Sequence, residues 1–274
     1  MVIKNAISID VEDWFCAYNL SEKISIRDWD KCESRIRQST FKILSILDKK
    51  CVKATFFILG WIAERFPEIV VKIKNGGHEI ATHGYSHCLL TKMTPHEFEK
   101  DLCKSIETIG NHTNQDIIGF RAPSFSITRT TFWAFDILKK YKIKYDSSIF
   151  PVKFHPDYGI PDVPLGPYKV KDGLWEFPLS CFKVFGENVP CNGGGYFRVF
   201  PYFLTGYGIR KCNNEGRPVV FYLHPWEVDP DMPRIDLSPL KKFRHYYNLD
   251  KTEKRLERLL DDFKFTTIRE VLEL

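Results

Sequence analysis

An α/β fold of repeated βα units is what this sequence predicts, on three observations. Short apolar runs near positions 6, 54, 79, 117 and 143 alternate with segments of helical period. Start and stop residues suited to helices stand between those runs. Polar side chains able to do chemistry fall at the C-terminal ends of several runs, where parallel barrels and open sheets place their sites. A parallel sheet or barrel follows, in one domain over residues 1–274.

Ala6-Ile7-Ser8-Ile9 reads as a first buried strand that runs straight into Asp10-Val11-Glu12-Asp13. Ile36, Thr40, Ile43, Leu44 and Leu47 keep a helical period through about Lys49. Residues 54–59 form a second buried strand. A helix then opens with Pro67 in its first turn and stops at Asn75-Gly76-Gly77. A third strand covers 78–82. Thr94-Pro95-His96-Glu97 has the spacing of a capping box and opens a helix to about Ile109, with His96 as a solvated first-turn residue. Residues 116–120 are expected as a fourth strand, 130–141 as a helix and 143–145 as a fifth strand.

From Pro151 the character changes. Residues 151–215 read as an inserted, loop-rich region over the active face, with a short strand at 174–177. Gly193-Gly194-Gly195-Tyr196-Phe197-Arg198 lacks the Lys-Ser/Thr of a phosphate loop, so a tight turn or a backbone approaching a ligand explains it better. Residues 218–223 are a strongly buried strand ending in His224. A polar loop is expected over 229–250, then a charged helix from about Thr252, a short strand at 265–268 and a terminal helix.

The chemistry centres on His83-Gly84-Tyr85-Ser86-His87. Two imidazoles four residues apart face one side if the second lies in the first turn of a helix, and with a distant carboxylate they suit one divalent metal. A pair of surface histidines is the plainer alternative. Three carboxylates within four residues, Asp10, Glu12 and Asp13, raise one another's pKa and read as a general base plus a metal ligand. A solvated turn capped by an Asp is the alternative there.

Together these pieces resemble the polysaccharide deacetylases of the NodB type, carbohydrate esterase family 4, almost end to end. Asp10-Val11-Glu12 (with Asp13), His83-x-x-x-His87, Arg121-Ala122-Pro123-Ser124-Phe125, Asp146-Ser147-Ser148 and Leu223-His224 match five ordered motifs. The Gly193–Arg198 and Tyr222–Glu227 stretches resemble a subgroup associated with exopolysaccharide loci. The resemblance implies a distorted (β/α)7-type barrel and metal-dependent hydrolysis of a sugar N-acetyl amide. Asp10 would be the base, held by Arg121; His224 would be the acid, oriented by Asp146. His83, His87 and either Glu12 or Asp13 would bind a divalent metal, Zn2+ first, with Co2+ or Ni2+ as alternatives. The backbone N–H of Tyr85 would stabilise the oxyanion. Pro123 is expected at the sugar site, and Phe125, Tyr196 and Trp226 form either a sugar-stacking wall or packing at the barrel rim. Two other readings are an allantoinase-like amidohydrolase and a non-catalytic glycan-binding relative.

Composition narrows the partners. A net charge of +5 with scattered lysines gives no nucleic-acid stripe. No apolar run approaches the ~20 residues of a membrane span. Eight cysteines without C-x-x-C spacing read as reduced thiols. With no signal peptide expected before the first strand, the expected place is the cytoplasm, or the inner membrane face if the glycan is lipid-linked. The oligomeric state is left open.

Overall fold

A computed structural model describes residues 3–153, 159–171, 173–191 and 193–274. Strand β1 (Asn5–Val11) is buried along its whole length, which is why it reads as a nearly continuous apolar run. It is followed by α1 (Ile36–Lys49), β2 (Thr55–Ile58), α2 (Gly60–Arg65), α3 (Pro67–Asn75), β3 (Glu79–Thr82) and α4 (Pro95–Gly110). Next come β4 (Gly119–Phe120), α5 (Ala134–Lys140) and β5 (Tyr145–Asp146). The second half contributes β6 (Tyr168–Lys171), β7 (Leu174–Glu176), β8 (Cys181–Val184), β9 (Glu187–Pro190), α6 (Gly194–Val199) and α7 (Tyr202–Asn214). It closes with β10 (Val220–Leu223), α8 (Pro239–Tyr246), α9 (Leu249–Asp262), β11 (Phe265–Thr266) and α10 (Ile268–Val271).

The main sheet runs β10-β1-β2-β3-β4-β5-β7-β6, with β11 beside β1, and only the β6–β7 pair is antiparallel. It curls into a half-barrel, and the strand ladder ends at β10 and β6 rather than closing into a ring. Contacts that span the opening include Ser180 Oγ, which accepts from Val220 N at 2.8 Å, Arg217 Nη1, which donates to Leu165 O at 3.1 Å, and the bridge between Gly193 and Tyr222. Parallel register puts the C-terminal ends of β1, β2, β3, β4, β5 and β10 on one rim. One apolar cluster, including Ile43, Leu47, Ile69 and Leu256, packs outside β1 and β2; a second, including Leu102 and Leu138, packs beneath α4 and α5.

Local chemistry explains most boundaries. Thr94 Oγ1 accepts from Glu97 N while the Glu97 carboxylate accepts from Thr94 N, and α3 starts at Pro67. Several expectations need correction. The fourth strand is only Gly119–Phe120, and the helix expected from Thr130 starts at Ala134 after a 3-10 turn at Arg129–Thr131. The expected polar loop over 229–250 contains α8, whose sole buried residue is His245, so it carries no apolar stripe to read. The loop-rich 151–215 region contains β6–β9, α6 and α7; its residues 154–158, 172 and 192 lie outside those described. The Gly193 turn leads directly into α6: Gly193 has φ +116, and a Cβ there would lie 1.9 Å from Tyr222 O. All eight cysteines are free thiols. No helix among the described residues is long and apolar enough to cross a membrane.

Candidate metal centre and active site

His83 follows directly on Thr82, the last residue of β3, and His87 lies on the irregular loop beyond it. No helical turn presents the pair. His87 has φ +56, and Asp101 on α4 shapes the loop by accepting from Tyr85 N (2.7 Å), Ser86 N (3.1 Å) and Ser86 Oγ. The result still brings both rings to one carboxylate: His83 Nε2 and His87 Nε2 each lie 2.9 Å from Glu12 Oε1. Burial alone would push the Glu12 carboxyl up, but His87, His224 and His83 outweigh it and hold it well below the usual carboxylate range.

These three side chains fit a divalent cation. Their ligand atoms lie within 4.8 Å of one another, and two imidazoles with one carboxylate are a donor set for zinc-like ions that leaves a coordination position open. His83 Nδ1 sits 2.8 Å from the Arg121 carbonyl, which can only accept, so Nδ1 is the donor there and Nε2 is the ring atom turned to the cluster.

Asp13 is turned elsewhere, and its place as an alternative ligand is corrected. Its oxygens accept from Trp14 N (2.8 Å), Ser34 Oγ (2.6 Å), Arg35 N (3.0 Å) and Ile36 N (3.2 Å), so it ties the chain after β1 to the start of α1. Burial raises its carboxyl to about 6 despite those donors. Adjacent residues on an extended chain point to opposite sides, so Glu12 and Asp13 cannot both face the histidines.

Asp10, in register with Phe57 of β2, is buried beside the cluster. Arg121 Nη1 donates to Asp10 Oδ1 at 2.7 Å and to Ser8 Oγ at 2.7 Å. The guanidinium is 0% exposed, donates also to Ser147 O and Ser147 Oγ, and lies 4.2 Å from the Phe57 ring centroid. Just beyond it, Ser124 (φ +49) and Phe125 (φ +54) are consecutive left-handed residues, a strained turn next to the site.

His224 follows β10 and aims Nε2 inward, 4.0 Å from Asp10 Oδ2 and 3.8 Å from Glu12 Oε1. Burial would press its pKa down, but Glu12, Glu227 and Asp10 lift it to about 9. Its orienting partner is not Asp146. Glu227 Oε1 accepts from His224 Nδ1 at 2.8 Å and from His224 N at 3.1 Å. Asp146 instead accepts from Ser148 Oγ and faces Glu176. The signal for Glu227 was in His224-Pro225-Trp226-Glu227: an acid three residues past a strand-end histidine can turn back onto it.

Two further expectations are corrected. The Tyr85 N–H is already committed to Asp101, so it is not a free oxyanion donor. Trp226 is 6% exposed, with His224 stacked 5.2 Å away and His245 at 4.7 Å, so it packs against the His224 ring and offers no open wall to a sugar. Pro123 and Phe125 are buried, the latter against Phe150 and Tyr222, while Tyr85 and Tyr196 stay half-exposed.

A curled parallel sheet thus carries a His-His-carboxylate cluster and a guanidinium-held carboxylate on its C-terminal rim, which makes the class of fold an α/β half-barrel. Residues 19–146 match the model of the Polysaccharide deacetylase family, and residues 147–273 match that of a domain of unknown function, DUF3473. The chain is 34% identical over 117 residues to a peptidoglycan deacetylase of Helicobacter pylori, covering 43% of this chain and 39% of that one. It is 47% identical over 70 residues to a peptidoglycan-N-acetylglucosamine deacetylase of Bacillus cereus, covering 26% of each. The similarity therefore spans well under half the length of these curated relatives. In fold, it superposes on a Mycobacterium smegmatis protein provisionally described as a polysaccharide deacetylase (TM-score 0.63, 20% identity, 98% and 90% coverage). It also superposes on a family pseudoenzyme from Bacillus anthracis (TM-score 0.52, 15% identity, 99% and 66% coverage). The shape alone is thus shared with a pseudoenzyme, and the side chains on the rim must carry the functional argument.

Proposed function

We propose that this chain hydrolyses the N-acetyl amide of an amino sugar in a glycan, releasing acetate, with a divalent metal held by Glu12, His83 and His87. The observation that carries the reading is the convergence of three roles on one rim: a buried acid fixed by Arg121, a His-His-carboxylate cluster, and an imidazole 3.8 Å from that cluster. When bound, a zinc-class ion supplies Lewis acidity and lowers the pKa of water toward about 7.

The chain's own residues supply the proton handling. Asp10 accepts the proton of the attacking water, and Arg121, donating to Oδ1 at 2.7 Å, keeps its carboxylate aimed. His224 donates from Nε2 to the departing nitrogen, because an unprotonated amine leaves poorly. Glu227, held at about 2 by Arg198 and His224 against the upward push of burial, stays anionic and keeps the other ring proton on Nδ1.

The substrate we favour is an N-acetylated precursor glycan of an exopolysaccharide, and the metal we favour is zinc. The exopolysaccharide-like motifs support the former and the donor set supports the latter. We place the protein in the cytoplasm or at the inner face of the membrane. The comparisons lend no support to a small cyclic amide. The test is acetate release by metal-depleted and zinc-restored protein from polymeric, lipid-linked and nucleotide-linked N-acetyl sugars. Zinc-dependent release from at least one class is expected. Tight glycan binding with no release from any would sink the hydrolase reading in favour of a binding module.

A further inference from the structure

The Gly193–Arg198 stretch is not accounted for by metal binding or proton transfer. Arg198 is among the largest fully buried side chains of the molecule, 2% exposed, in the same second half as the acid but outside the metal cluster. Its Nε donates to Glu227 Oε2 at 2.6 Å. The rest of the fork is spent on main chain: Nη1 on His245 O (3.1 Å) and Tyr247 O (3.0 Å), and Nη2 on Arg244 O (2.9 Å). Those carbonyls close the C-terminal end of α8, where a cation offsets the helix dipole. The guanidinium also lies 5.3 Å from the Trp226 ring, whose other neighbours are the two stacked imidazoles.

We propose that Arg198 is a positioning residue for His224, acting through Glu227 and Trp226, and that the Gly193–Arg198 motif exists to deliver it. Glu227 has two oxygens: Oε1 takes both His224 donors and Oε2 takes Arg198 Nε. With the guanidinium gone, Oε2 would be a buried carboxylate oxygen lacking its donor, which drives the carboxyl to rotate or protonate and frees the ring. The glycines make the delivery possible: Gly193 and Gly194 (φ +54) let the chain press on Tyr222, and Arg198 then follows on α6 facing Glu227. Asn248 Nδ2 and Arg255 Nη1 cap the Arg198 carbonyl at 2.9 and 3.0 Å, so the α8–α9 segment grips this arginine from both ends. The acid's orientation is thus set by the last third of the chain, far from the metal ligands in sequence.

This inference rests on the hydrolase reading for its kinetic arm only. The first measurement is independent of turnover: the downfield proton resonance of His224 Nδ1–H in 15N-histidine-labelled protein, assigned by its loss in His224→Asn. Arg198→Met is expected to shift or abolish it, and Arg198→Lys to retain it. On whichever glycan releases acetate, Arg198→Met should lower kcat about 10–100-fold with KM changed less than about twofold, the scale of outer-shell substitutions. In a Glu227→Gln background the same change should cost less than about twofold more, because residues acting in one chain are not additive. An unmoved resonance with unchanged kcat overturns the proposal, as do effects that multiply in the double variant, which would mark Arg198 as merely structural. If Arg198→Met does not fold, Arg198→Gln, which removes the charge but keeps a polar side chain, and the Arg198→Gln/Glu227→Gln pair carry the same comparison. Should wild type release no acetate at all, the deacetylase reading falls while the resonance still decides the role of Arg198.

Discussion

The two halves of this molecule bring side chains to the same rim by different means. In the first half, the rim residues other than His87, which lies on the loop beyond β3, stand at or directly after a strand end: Asp10 and Glu12 at the end of β1, His83 after β3, Arg121 after β4. Backbone pairing sets their height, and one carbonyl, Arg121 O, suffices to fix the His83 ring. In the second half His224 also follows a strand, but its direction comes from side chains: Glu227, Arg198 and the Trp226–His245 stack. A ligand whose partner is a metal needs its lone pair aimed once. A proton donor also needs a tautomer, a charge and a ring plane.

The contrast is sharpest where the expected effects are largest. His83→Ala should lose bound metal and reduce turnover on the order of 10³-fold or more, read by metal content after gel filtration together with acetate release. Asp10→Asn should keep the metal and lose about 10²–10⁴ in kcat, the usual contribution of a general base. Near-normal turnover in metal-replete Asp10→Asn would show that the base has been misassigned. His224→Ala should likewise keep metal while kcat falls about 10²–10⁴-fold. Metal loss in that variant would move His224 into the first half's class of residue, a ligand.

Next come the carboxylates that divide the halves. Glu227→Gln should lower kcat about 10–100-fold. Asp146→Asn, which alters the Ser148 network and leaves the His224–Glu227 pair in place, should show a smaller kinetic effect. The reverse order would restore Asp146 as the orienting group. Asp13→Ala should retain metal and cost about 1–2 kcal/mol in chemical denaturation, as loss of a capping carboxylate does.

This difference also explains what could be read in advance. The strand-end positions of Asp10, His83, Arg121 and His224 were legible because a parallel sheet turns the order of apolar runs into places on one rim. The Glu12/Asp13 choice was not legible from the ligand set alone, although alternation along an extended chain forces one of them away from the histidines. Asp101, Glu176 and Arg198 were invisible. Each acts across at least 15 residues of sequence on a partner whose nearness depends on how helices lie against the sheet, and no local period encodes that. Trp226 could be read two ways for a related reason: an aromatic near a strand-end histidine looks equally like a sugar platform or rim packing until its stacking on His224 and His245 is seen. Helix α8 escaped because its apolar side chains, Leu240 and Phe243, face solvent.

The smallest expected effect tests how the two halves are joined. Asp146 ends β5 and Glu176 ends β7, at the seam between the two family matches. Glu176 Oε1 accepts from Ser148 N (3.2 Å) and Ile149 N (2.9 Å), while Glu176 Oε2 and Asp146 Oδ2 have no N–H or O–H donor among the described residues, though the two carboxyls interact with each other. One proton shared between the carboxyls would satisfy both oxygens. Burial, and then the neighbouring Asp146 charge, push Glu176 well above the usual carboxylate range; burial likewise raises Asp146. An acid whose folded pKa is raised binds its proton more tightly in the folded chain than in the unfolded one, where Glu titrates near ~4.3. Its contribution is therefore fully present below that value and is lost as pH climbs toward the folded pKa. Glu176→Gln replaces the shared proton with an amide hydrogen that does not titrate. The variant's melting temperature relative to wild type should accordingly rise between pH 5 and pH 9, by roughly 2–5 °C if about 1 kcal/mol is recovered. A gap that stays flat or narrows over that range would mean that the seam holds two charged carboxylates, with Arg121 rather than a proton offsetting them.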